Sequence, residues 1–101
     1  MKVQVLYIDA CPNSAEVGER ARVALDTVGL PNVPVEYLLI RTEDEARAVP
    51  FAGSPTVLFA GEDLFPGERT HDLACRVFVT KRGLAGLPTE DQLEVAIRAR
   101  M

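Results

Sequence analysis

The stretch Val3–Ile8, VQVLYI, is β-branched and aromatic almost without polar interruption, the pattern of a strand buried on both faces. Behind it Val17, Ala21, Ala24, Leu25 and Val28 recur at helical spacing, and Gly29 with Pro31 supplies the stop. A second β-rich run, Val33–Ile40 (VPVEYLLI), follows directly. Strand, helix and strand in immediate succession constrain the fold more than any other feature, because two strands joined by a helical crossover should lie parallel.

The rest of the chain continues in the same manner. Thr42–Glu45, TEDE, forms a capping box that opens a short second helix, which must end before Pro50. Gly53–Gly67, GSPTVLFAGEDLFPG, starts with turn chemistry and then reads as a hairpin: TVLFA, a Gly-Glu turn, and DLF. Within residues 68–87, THDLAC reads as a helical turn, RVFVT as strand-like, and GLAGLP (Gly83–Pro88) as a flexible turn. Thr89–Gln92, TEDQ, is another capping box, and Leu93, Ala96, Ile97 and Arg100 give the last helix an apolar stripe with a basic end. The expected order is β-α-β-α-β-β-α.

Composition narrows the class. A chain of 101 residues holds one core, so a single α/β domain over residues 1–101 is expected. Hydrophobic residues at 48% and charged residues at 26% describe a globular protein rather than a disordered one. The net charge of -4, with both signs interleaved, leaves no basic stripe for phosphates, and nucleic acid is excluded as an expected partner. No apolar run approaches the ~20 residues of a membrane span, and the N-terminal MKVQVLYID lacks the apolar core of a signal peptide. A cytoplasmic protein is expected, free of membrane contact and monomeric by default. In a reducing compartment its two cysteines are more naturally reactive, metal-bound or inert than a permanent staple.

Cys11 stands where the first strand stops and Pro12 begins. With Cys11 at the helix N-cap and Pro12 at the first helical position, the thiol lies over unpaired N–H groups and the positive end of the helix dipole. These favour the thiolate and lower the thiol pKa from about 8.5 towards neutrality. Asp9 opposes that shift if its carboxylate points the same way. Ser14 follows at C-x-x-S spacing, and its hydroxyl can hydrogen-bond the thiolate but cannot form a disulfide.

The β-α-β start, the Cys-Pro-x-Ser element at the first strand-helix junction, and Ser54-Pro55-Thr56 just before a buried strand together resemble the thioredoxin-like fold, which includes the glutaredoxins. The resemblance covers nearly the whole chain by element order. It implies a central mixed four-stranded sheet flanked by helices, with Cys11 in the place of the nucleophilic cysteine. It also implies a cis Pro55 beside Cys11, Ser54 as the backbone position that pairs with substrate, and Pro12 and Ser14 on the substrate side. The chain departs from the family in having serine at position 14 instead of a second cysteine, in lacking tryptophan, and in showing no evident glutathione-binding residues.

Cys75, in LACRVF, is then the question. In the resembling fold, if DLF is the returning strand, residues 66–75 emerge at the Cys11 end of the sheet and a disulfide is possible. If RVFVT is the returning strand, Cys75 begins it at the opposite end, beyond the ~7 Å limit between Cα atoms. The short hairpin favours the first arrangement, with Arg76 beside the second thiol and lowering its pKa. Cys75 is equally compatible with an inert core thiol. His71, the sole histidine, is four residues from Cys75, and two ligands do not complete a tetrahedral site, so no metal is expected. Glu43, Asp44 and Glu45 read as a solvated first helical turn.

Three functions are compatible with these residues. The leading one is a thiol-disulfide oxidoreductase or thiol reductase. Cys11 attacks an oxidised protein or small molecule, Cys75 resolves, and no cofactor is needed beyond an external thiol donor. The others are a handler of soft metal or organometal electrophiles using both sulfurs, and a non-catalytic module gripping a peptide with the face around Cys11, Pro55 and Phe65.

Overall fold

The computed structural model describes residues 1–67 and 70–101. Strand β1 (Val3–Tyr7) leads to helix α1 (Ser14–Thr27), strand β2 (Val35–Leu39), helix α2 (Glu43–Arg47) and the hairpin strands β3 (Thr56–Phe59) and β4 (Glu62–Asp63). A second hairpin, β5 (Phe78–Thr80) and β6 (Gly83–Ala85), precedes helix α3 (Glu90–Arg98). The main sheet is mixed and four-stranded in the order β2-β1-β3-β4: β1 runs parallel to β2 and antiparallel to β3, and β3 antiparallel to β4.

The apolar run at residues 3–8 is explained by this central place. Val3 and Val5 face one side, where Val17, Ala21, Ala24 and Leu25 of α1 and Leu93 and Ile97 of α3 close the larger core with Val57 and Phe59. Leu6 points to the other side and joins Ile8, Cys11, Ile40, Ala46, Phe51 and Leu58 in a second core. Both faces of β1 are thus covered, the usual reason for a strand without polar alternation.

The local signals act where they stand. Gly29, at φ 85°, ends α1, and Leu30 N–H donates to Leu25 O at 2.8 Å across it, closing the helix end with an otherwise unpaired carbonyl. Thr42 caps α2 by accepting from Glu45 N–H, and Thr89 and Gln92 form the full reciprocal box on α3. The first hairpin turns one residue earlier than the Gly-Glu expectation, at Ala60 and Gly61, whose φ values of 51° and 85° are the positive pair a two-residue turn demands.

Between β4 and α3 the chain departs from the expected order. THDLAC forms no helical turn, because Cys75 is held in a strand-like bridge to Ser54. RVFVT contributes only Phe78–Thr80, and GLAGLP is no loose turn: Gly83–Ala85 pairs with those residues as β6. Gly83, at φ 101°, follows the two-residue Lys81-Arg82 turn, where Thr80 Oγ1 donates to Gly83 O at 2.7 Å. No helix among the described residues is long and apolar enough to cross a membrane.

Candidate functional site

Cys11 and Cys75 are joined in a disulfide, with Cα atoms 5.9 Å apart across a sequence separation of 64. This is the arrangement in which the strand after the first hairpin turn leads the chain back to the Cys11 end. Cys75 is therefore not an inert core thiol: the bond takes both sulfurs, and Cys75 is exposed while Cys11 retains only 3% of its surface.

The start of α1 lies two residues beyond its expected place. Ile8 O accepts from Cys11 N–H at 3.2 Å in a tight turn, and the first helical bond runs from Val17 N–H to Asn13 O at 3.0 Å. Asn13 is thus the N-cap, Cys11 precedes it by two residues, Pro12 lies exposed outside the helix, and Ser14 is the first helical residue. Asn13 gives no side-chain bond to the helix end, which leaves the first-turn N–H groups without that partner.

Ser54 and Pro55 lie beside the pair. Their peptide bond is cis, and both residues are buried, Ser54 to 1% exposure. The Ser54 hydroxyl accepts from Ile8 N–H at 3.0 Å, and so ties the loop before β3 to the end of β1. Its backbone, expected to pair with a substrate, is taken by the chain itself: Ser54 N–H donates to Ala74 O at 2.9 Å and Arg76 N–H donates to Ser54 O at 2.8 Å. The 74–76 segment is therefore an extended strap, fastened by two hydrogen bonds and one covalent bond. Ser54→Ala strands the buried Ile8 N–H and should lower stability by about 1–3 kcal/mol, read by urea denaturation of the oxidised protein; an unchanged midpoint contradicts it.

A charged pair that the sequence argument missed holds the strap from its far side. Arg76 and Asp63 meet at 3.0 Å with side chains only 11% and 13% exposed. The Arg76 guanidinium also donates to Phe65 O and lies 4.8 Å from the centre of the Phe78 ring, whose edge meets Phe65. Asp63 further accepts from Phe65 N–H at 2.9 Å. Arg76 was expected to lower the pKa of the second thiol, but its charge is engaged here by Asp63. Gly53, at φ 104°, makes room for this segment: a Cβ there would lie 3.0 Å from the Arg76 Cβ. Thr56 completes the corner by donating to Gly53 O and accepting from Ala52 N–H.

The chain matches no family model, no curated protein and no solved structure at a significant level. The chemistry of the site therefore rests on its own geometry. A concavity lies between the Lys81-Arg82 turn and α3, walled by Leu64, Phe65, Leu87 and Val95, and touches neither cysteine. Among the described residues, the only group of three metal-ligating side chains is Glu43, His71 and Asp72, all exposed, with ligand atoms within 4.8 Å of one another. His71 is thus placed against carboxylates, while Cys75, four residues on, is in the disulfide. What the cysteine site can do chemically is exchange: a two-electron disulfide bond joins a covered sulfur to an exposed residue at the protein surface.

Proposed function

We propose that this protein is a small thiol-disulfide oxidoreductase, or thiol reductase, with a thioredoxin-like fold and the Cys11–Cys75 pair as its redox centre. The observation that carries the reading is the disulfide itself, formed between the two cysteines of the chain in a backbone frame built around Ser54. The fold part is supported by the β2-β1-β3-β4 strand order and by the cis Ser54–Pro55 bond beside the pair. A thiolate in either cysteine is a nucleophile and its partner disulfide an electrophile, so the dithiol can reduce a client disulfide and be regenerated by an external thiol without any cofactor.

In this reading the reduced protein acts first through Cys11. Its thiolate attacks one sulfur of the client disulfide, the client's other sulfur leaves as thiolate, and Cys75 then attacks Cys11 Sγ to release the reduced client. Pro12, Ser14 and the Ser54 backbone flank the client, which takes up the edge that the 74–76 strap vacates. The setting proposed is cytoplasmic, where donor thiols are plentiful, and the protein acts as a monomer, without nucleic acid or membrane.

The reading is tested by equilibrating the protein with a thiol-disulfide redox buffer and recording its intact mass. A reversible loss of two hydrogens in monomeric protein is expected, and its midpoint potential states whether the pair reduces or oxidises clients. In Cys75→Ser the product becomes a mixed disulfide on Cys11. A protein that stays dithiol, or carries only mixed disulfides, across the whole buffer range refutes it.

A further inference from the structure

We propose that Cys75 is the sulfur at which the donor thiol enters when the disulfide is reduced, and that Cys11 is the sulfur that leaves. The inference rests on the redox reading above and assigns the regenerating half of that cycle. It gives the protein two ports: clients are attacked by Cys11, and donors attack Cys75.

Access decides the first point. An incoming thiolate approaches the sulfur it attacks in line with the bond it breaks, so that sulfur must be reachable from solvent. Cys11 is 3% exposed and belongs to the core formed by Leu6, Ile8, Ile40, Ala46, Phe51 and Leu58. Cys75 is exposed, and so are Leu73, Ala74 and Val77 on either side of it. A donor meets Cys75 without disturbing the core.

The leaving group decides the second. A thiol leaves faster as its pKa falls. Cys11 lies two residues before Asn13, the N-cap of α1, whose side chain makes no cap bond, and the positive end of a helix dipole favours a negative charge in its neighbourhood. Cys75 has no helix end beside it in the chain, and the nearest cation in sequence, Arg76, is engaged by Asp63. The strap also stays in place during the step. The two Ser54 hydrogen bonds and the Arg76–Asp63 pair hold the Cys75 backbone when the sulfur-sulfur bond opens.

The electrons balance as follows. A donor thiol loses its proton to water or buffer, and its thiolate forms a bond to Cys75 Sγ. The Cys11–Cys75 bond breaks and its electron pair goes to Cys11, which leaves as thiolate. A second donor thiolate then attacks the donor sulfur of the mixed disulfide, giving the donor disulfide and a Cys75 thiolate. Two thiols are oxidised and one disulfide reduced.

The experiment uses the oxidised full-length wild-type protein and mercaptoethanol as the probe. Samples taken early in the reaction are quenched in acid with N-ethylmaleimide, digested and mapped by mass spectrometry. Mercaptoethanol should be found on Cys75 and maleimide on Cys11, in about tenfold excess or more over the reverse pattern. Mercaptoethanol on Cys11, or an even division, overturns the inference while leaving the redox reading intact. A disulfide that resists millimolar thiol and shows no reversible two-hydrogen change overturns both, so the two failures are told apart.

Discussion

In urea, the oxidised protein is expected to be about 4 kcal/mol more stable than its dithiol form. The disulfide spans a sequence separation of 64, and closing a loop of that length removes conformational freedom from the unfolded chain worth about 4 kcal/mol on the chain-entropy relation. For a domain of this size that gap corresponds to roughly 15–30 °C in melting temperature. Cys75→Ser should reproduce the effect of the reductant, and adding reductant to the variant should change nothing more. Paired urea titrations with and without reductant measure it. A gap below about 1 kcal/mol would mean that the unfolded chain gains little freedom when the bond is cut, against the entropic account.

The second large effect is expected at Arg76. Replacing it with Met removes the cation from a pair whose side chains are 11% and 13% exposed, and leaves the Asp63 carboxylate in a largely dry site. Breaking one partner of a buried pair costs about 3–5 kcal/mol, and the lost hydrogen bond to Phe65 O adds to it in the same direction. The measurement is best made on reduced protein, where the disulfide no longer holds the strap. The double variant Asp63→Asn, Arg76→Met should recover a large part of the loss, because an uncompensated charge is no longer buried. Non-recovery would assign the cost to the lost stacking of the Arg76 guanidinium on the Phe78 ring and its lost hydrogen bond to Phe65 O rather than to the buried charge.

The two effects bear on function through the same segment. The strap places Cys75 against Cys11 and covers the Ser54 backbone, so under the proposed redox function a client taking that edge must displace it. Its fastenings differ in kind. The disulfide responds to the thiol pool, whereas the Asp63–Arg76 pair responds to neither oxidant nor reductant.

Much of the frame was legible from residue patterns because its causes are local. Val3–Ile8 reads as a doubly buried strand since Gln4 alone interrupts its β-branched and aromatic run, and it is flanked on both sides in the sheet. The two Thr-x-x-Glu/Gln boxes mark real helix starts because a cap involves residues three apart. The N-cap of α1 was misplaced because Pro12 suits a first helical position, whereas the turn between Ile8 and Cys11 delays the helix to Ser14. The β5–β6 hairpin was hidden since its strands are three residues each and two of the three residues of β6 are glycine and alanine.

The sequence by itself determined the β-α-β opening, the caps and glycine stops, and the presence of a cysteine at a strand-helix junction, all effects acting within a few residues along the chain. Only the tertiary structure decided that Cys75 meets Cys11, that Ser54 pairs with the strap instead of standing open, and that Arg76 faces Asp63. Those contacts join residues 13 to 64 positions apart. Their physical cause is the return of the chain past the β3–β4 hairpin, which no spacing of side chains along the sequence encodes.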